Sequence, residues 1–245
     1  MAIIYRRKPI NTFSIATTQK IEAYRKSDLC TKLCGRKPFG SRHWEYPWAV
    51  EQSGVLSSEN LRILDVAPDF TFPYAGFLEA SHGVTFIDLE KRQWSDTVFW
   101  GVDGDALEHH KECRVMDVRE LAFSDETFDI IFCISVLEHL VCPTQDPDHP
   151  DLARLFSPKG AQKAVKEMRR CLKTGGKLVL TIDIYGGRKW KSYFDTWDIV
   201  ADLACAGFDV QGLNGFDREK IFNDPETFIS DFHGPYITLG GCLIK

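Results

Sequence analysis

The sequence predicts an α/β fold, a mostly parallel sheet flanked by helices, and three observations carry that expectation. From Leu61 onward, short apolar runs alternate with amphipathic stretches, which is the pattern of βα units. Aspartates close several of the apolar runs, at the strand ends where ligands sit in an open α/β sheet. A chain of 245 residues, 44% hydrophobic and 27% charged, can bury one sizeable core and has an ordinary globular composition.

The elements follow in order. Residues 1–60 read as an N-terminal helical extension packed on the core, and residues 61–245 as the α/β domain. Helix-like pieces fall at residues 17–26 and 43–52, on either side of the turn-rich residues 34–40. The aromatic cluster Trp44, Tyr46 and Trp48 reads either as packing or as a cover over a cofactor pocket. Strands are expected at residues 62–66, 84–87, 113–116, 128–134 and 177–182, with two further candidates at 209–213 and 236–244, seven in all. Residues 159–172 place Ala161, Ala164, Val165, Met168, Cys171 and Leu172 on one helical face, with Gly175 and Gly176 as the stop. Residues 194–206 repeat the pattern, with Gly207 as the stop. The irregular residues 141–158, rich in Pro and Asp, sit where an active-site loop would be useful.

Charge and composition exclude several classes. The formal net charge is -5 and the Lys and Arg residues are scattered, so the chain lacks the footprint of a nucleic-acid binder and suits a small-molecule or carbohydrate-type acceptor better. No apolar run approaches the roughly 20 residues needed to span a bilayer. The first residues lack the apolar region of a signal peptide, so a cytoplasmic location is expected. Of eight cysteines, Cys133, Cys171 and Cys242 lie in apolar or amphipathic segments, as reduced core thiols do. Cys30, Cys34 and His43 form too incomplete a set for zinc, and no metal is expected.

The chemistry should lie at the strand ends. Asp65 lies near the end of the first predicted strand, Asp88 ends the second and Asp117 ends the third. A carboxylate in the position of Asp88 can accept hydrogen bonds from two ribose hydroxyls, a need that nicotinamide cofactors and S-adenosylmethionine share. A dinucleotide also needs a glycine-rich turn against its pyrophosphate, whereas residues 65–73 contain no glycine. S-adenosylmethionine carries no phosphate, and its cationic groups tolerate Asp65 and Asp69. Asp117 is placed to accept from the adenine amino group, with Val118 or Met116 against the ring.

The runs Leu61-Arg62-Ile63-Leu64-Asp65-Val66, Val84-Thr85-Phe86-Ile87-Asp88 and Met116-Asp117-Val118 resemble the first three cofactor motifs of the class I S-adenosylmethionine-dependent methyltransferases. Residues 123–140, ending Ser135-Val136-Leu137-Glu138-His139-Leu140, are similar to the fourth-strand segment of the small-molecule branch of that family. Residues 167–180 resemble its helix, turn and fifth strand. The resemblance covers about residues 61–185. It implies a Rossmann-like sheet, S-adenosylmethionine as cofactor, and cofactor contacts at Asp65, Ala67, Asp69, Asp88, Leu89, Asp117, Val118 and Ser135. The family's first loop is usually glycine-rich; here it reads Ala67-Pro68-Asp69-Phe70, although Phe72-Pro73 has counterparts in some relatives.

Methyl transfer from a sulfonium is an in-line displacement, so alignment and exclusion of water dominate and a general base is optional. Strand-end logic offers His139, Asp183, Tyr185 and His233 as bases. Glu138 and His139 can equally satisfy local amides, and Asp183 can stabilise a turn. The segment Asp183-Ile184-Tyr185-Gly186 does not resemble the Asn-Pro-Pro-Tyr element of enzymes that methylate nucleobase amines. A small metabolite, sugar or lipid-linked intermediate is the expected acceptor. Two alternatives stay open: a non-catalytic protein retaining the fold, and an NAD(P)-dependent oxidoreductase.

Overall fold

The structure is a computed structural model, which describes residues 11–35, 40–89, 113–141, 159–185, 197–213, 220–221, 223–227, 229–231 and 234–245. The strands are β1 (Thr12–Ile15), β2 (Arg62–Val66), β3 (Gly83–Asp88), β4 (Arg114–Val115), β5 (Phe128–Ile134), β6 (Leu172–Tyr185), β7 (Ile229–Asp231) and β8 (Gly234–Ile244). The helices are α1 (Thr18–Arg25), α2 (Asp28–Cys34), α3 (Arg42–Ser53), α4 (Tyr74–Glu79), α5 (Leu137–Val141), α6 (Gly160–Cys171) and α7 (Ile199–Cys205). The sheet order is β1-β8-β6-β5-β2-β3-β4, with β7 paired to β8. β2, β3, β4, β5 and β6 run parallel to their neighbours within that set, while β8 is antiparallel to both β6 and β1.

Each face of the sheet is covered, as a parallel sheet requires. On one side, Ala161, Ala164, Val165 and Met168 of α6 pack against Leu64, Ile131, Leu178 and Leu180. That is the helical face read from the sequence. On the other side, Trp44, Ala49 and Val50 of α3 join Ile63, Phe132 and Val179 in a second core. Cys133, Cys171 and Cys242 are buried thiols of these cores. Among the described residues, no helix is long and apolar enough to cross a membrane.

Three differences from the sequence reading have physical causes. The N-terminal extension is not wholly helical, because β1 pairs antiparallel with β8 from Thr12↔Cys242 to Ile15↔Leu239 and takes the sheet edge. The expected strand at 209–213 is instead a 3₁₀ turn, Gln211–Leu213. There the Asp209 carboxylate accepts from the Gln211 amide at 3.0 Å and Asn11 Nδ2 donates to the Asp209 carbonyl at 2.6 Å, so side chains take the place of a ladder. Finally, α6 stops at Cys171 rather than at the glycines, and Gly175, with φ +80°, supports a bend inside β6. Gly207, with φ +91°, does follow α7 as a stop.

α3 lies close against β8. Trp44 and Trp48 stack with ring centroids 5.1 Å apart, and a Cβ built on Gly240 would stand 2.6 Å from Trp48 and 2.8 Å from Trp44. Gly240→Ala is therefore expected to destabilise the fold by about 1–3 kcal/mol through overpacking. Calorimetric unfolding checks this, and an unchanged Tm would show that α3 does not sit this close to β8.

Candidate functional site

The strand order reverses at β2, which has β3 on one side and β5 on the other. The crevice beyond the C-terminal ends of β2 and β5 is thus the topological switch point, where open α/β sheets bind ligands. Side chains alternate along a strand, and the cross-strand pairs Asp65↔Phe86, Asp65↔Phe132 and Phe132↔Val179 define one face. Asp65, Asp88, Thr181 and Asp183 all fall on that face, the one α3 covers.

Asp65, 2% exposed, is the penultimate residue of β2, and its Oδ2 has no hydrogen-bond partner among the described residues. Burial pushes its carboxyl well above the usual carboxylate range. Asp88 is buried at the end of β3, with Oδ1 accepting from the Leu89 amide at 2.7 Å. Between them the first loop turns at Ala67, whose φ is +51° and whose amide donates to the Ile87 carbonyl at 2.7 Å. A left-handed conformation favours glycine, and alanine occupies it here. Asp69 does not face outward as a free acid: its Oδ1 accepts from both the amide and the hydroxyl of Thr71, at 3.0 and 2.6 Å. The rest of the loop is fixed by aromatics, Phe70 edge-on to Phe86 and Phe72 edge-on to Tyr46, which in turn stacks on Tyr74 at 4.4 Å.

Asp117 follows β4 and is held by the Arg119 guanidinium, with Nη2 to Oδ2 at 2.6 Å and Nε to Oδ1 at 2.9 Å. Burial acts to raise its pKa, but the Arg119 hydrogen bonds outweigh this and lower it. The Asp117 carboxylate thus already has a charged partner where the sequence reading gave it to an adenine amino group. Val118 beside it is buried and Leu89 half-buried.

The far side of the crevice holds a buried polar network that sequence reasoning missed in part. Ser135, at φ +50° after β5, donates through Oγ to Glu45 Oε1 at 2.6 Å and accepts from Arg42 Nη1 at 2.7 Å. Arg42 Nη1 also pairs with Glu45 Oε2 at 2.6 Å, and Thr181 Oγ1 donates to Glu45 Oε1 at 2.5 Å. Asp183 Oδ1 accepts from Thr238 Oγ1 at 2.6 Å, with Oδ2 3.4 Å from Ser135 Oγ. Glu138, 3% exposed, accepts the Asp183 amide on Oε1 at 3.1 Å, while its Oε2 has no hydrogen-bond partner among the described residues. Burial would raise the Glu45 pKa, but Arg42 and the hydroxyls hold it below the usual value. Glu138 goes the other way, raised well above its usual value by burial and by the Asp183 charge.

Of the expected bases, Asp183 lies in this network, whereas His139 is exposed on α5, its neighbour Glu138 being the one turned inward. Tyr185 ends β6 opposite Tyr236, but its side chain lies outside the described residues, as do His233, the tandem His109-His110, residues 142–158 and residues 194–196. Arg42 and Glu45 carried only the signal of an i,i+3 charge pair beside an aromatic cluster.

A carboxyl whose folded pKa is raised favours the fold at low pH, and that contribution is lost as pH climbs through the folded pKa. Asp65 has this sign, so the Tm of Asp65→Asn relative to the wild type should rise as pH climbs above about 4, the ordinary range of an aspartate. Thermal unfolding across pH compares the two; parallel curves would mean that Asp65 is not buried without a partner.

Residues 82–180 match the family of the methyltransferase domain. An uncharacterized protein of Methanocaldococcus jannaschii is 26% identical over 123 residues, a match that spans 50% of this chain and 45% of that protein; the chain thus spans under half the length of the curated relative it matches. The N-methyltransferase NodS of Bradyrhizobium japonicum, solved with S-adenosylhomocysteine, superposes with a TM-score of 0.51 at 13% identity, covering 92% of this chain and 97% of that one. A methyltransferase of Aquifex aeolicus gives 0.47 at 15% identity, covering 93% and 98%. The middle of the sheet is thus similar to the methyltransferase domain family, and the fold is the one NodS shares.

Proposed function

We propose that the protein transfers a methyl group from S-adenosylmethionine to a small-molecule, sugar or lipid-linked acceptor, in a cytosolic setting. The observation that carries this reading is the pair of buried carboxylates, Asp65 and Asp88, closing adjacent parallel strands at the switch point around the left-handed turn at Ala67. Asp88 suits the two ribose hydroxyls. The orphaned Asp65 Oδ2 suits the ammonium, whose charge would offset the cost of burying the carboxylate. Val118 offers an apolar surface for the adenine. The cofactor supplies an electrophilic methyl on a sulfonium.

The chain's own task is then alignment and dryness. Aromatic packing of Tyr46, Phe72 and Tyr74 walls the crevice on the first-loop side. Glu138 and Asp183 stand on the other, beside the position an acceptor would take. Glu138, whose pKa burial and the Asp183 charge raise, is suited to donate a hydrogen bond when protonated, and Asp183 to accept one. Both sign choices fit a hydroxyl or an amine.

The glycine-free first loop favours one second reading, a non-catalytic protein with the same fold. The left-handed φ of Ala67 weakens it, since that conformation costs free energy and a loop released from binding has no need to keep it. Calorimetric titration with S-adenosylmethionine, S-adenosylhomocysteine and a nicotinamide control separates the readings. Micromolar binding of the two sulfur ligands alone is the expected result, and Asp88→Ala should weaken it by about 1–3 kcal/mol. Absence of binding by the folded wild type would transfer the argument to the non-catalytic reading, and binding of the nicotinamide alone would overturn both.

A further inference from the structure

The hydrogen bonds described for the Arg42 guanidinium both leave from Nη1, to Glu45 and to Ser135. Nε is buried and has no hydrogen-bond partner among the described residues. The side chain is 17% exposed. It stands between the end of β5, through Ser135, and the first loop, through its attraction to Asp69 and its place over the Tyr46 ring, 5.8 Å from the centroid. That is the switch-point crevice described above. A pair whose only purpose was to neutralise Glu45 would leave no reason to bury an N–H without an acceptor.

The charges around it say what could take that N–H. Asp65, Asp69, Glu138 and Asp183 surround the crevice with carboxyl groups. These suit an ammonium or a sulfonium and oppose an anion. A ligand that carries both an ammonium and a carboxylate therefore needs a cation at one point, and a planar guanidinium with its Nε edge uncommitted matches a carboxylate in shape as well as charge.

We infer that Arg42, delivered by the N-terminal helix α3, binds the carboxylate at the amino-acid end of the cofactor, so that the N-terminal segment is part of the cofactor site. The inference rests on the cofactor reading above. It also gives the glycine-free first loop a counterpart: the anion is held by a side chain from α3 instead of by a run of glycine amides.

Two ligands isolate the effect. S-adenosylhomocysteine has the amino-acid end, and 5′-methylthioadenosine lacks it while keeping the adenosine and the sulfur. Titration of the full chain should show Arg42→Gln weakening S-adenosylhomocysteine by about 10- to 100-fold, the range for a charge-assisted pair, and 5′-methylthioadenosine by less than about threefold. Arg42→Lys keeps the charge beside Glu45 but loses the fork, and should show the same selectivity to a smaller degree; it decides the matter if the glutamine variant does not fold. Equal weakening of both ligands would assign Arg42 a structural role only and overturn the inference, as would no weakening of either. If the wild type binds 5′-methylthioadenosine as tightly as S-adenosylhomocysteine, the inference fails while the cofactor reading survives. If it binds neither, both fall.

Discussion

The contact on which the site depends is the buried bridge from Arg42 and Glu45 of α3 to Ser135 and Thr181 at the ends of β5 and β6. Glu45 is fully buried, and a carboxylate in that position is tolerable only because a guanidinium and two hydroxyls satisfy it. Such a pair adds little net stability over an apolar one, yet removing a single partner strands the other charge at a cost of about 3–5 kcal/mol. The bridge therefore seats α3 over the ends of β5 and β6, beside the switch point.

The rest of the N-terminal segment follows from that seating. Trp44 and Trp48 fill the groove over Gly240, and Tyr46 stacks on Tyr74 and meets Phe72, so one helix braces both β8 and the first loop. Lys177 Nζ donates to the carbonyls of Gln52 and Ser53, capping the C-terminal end of α3 from β6. β1 then closes the sheet edge beside β8. Residues that read as an N-terminal helical extension in the sequence thereby supply an edge strand, a cover, and a buried carboxylate with its guanidinium partner.

What was legible in the sequence was whatever has local periodicity. β2 and β5 match the predicted bounds, the apolar face of α6 lies on the sheet, and Asp65 and Asp88 stand at their strand ends. β1 escaped because Thr12–Ile15 is four residues long and mostly half-exposed, too short to show alternation. Arg42 and Glu45 escaped because an i,i+3 pair of opposite charge on a helix normally belongs on a solvated face. Nothing local says that this face is covered. For the same reason, one turn of α5 gave no means of deciding that Glu138 points inward and His139 outward.

Two departures from ordinary backbone geometry bear on function because of where they fall. Ala67 follows β2 and Ser135 follows β5, and both are non-glycine residues at φ near +50°, flanking the switch point from its two sides. Left-handed backbone at such residues costs roughly 1–2 kcal/mol each, and it persists only where surrounding contacts over-determine it. At Ser135 those contacts are visible in Arg42, Glu45 and the Thr181 carbonyl that accepts its amide at 3.0 Å. At Ala67 they are the hydrogen bond to Ile87 and the aromatic packing of the loop that follows. The first loop thus makes a left-handed turn at Ala67 without a glycine, and the strain that results falls on elements that would hold the cofactor.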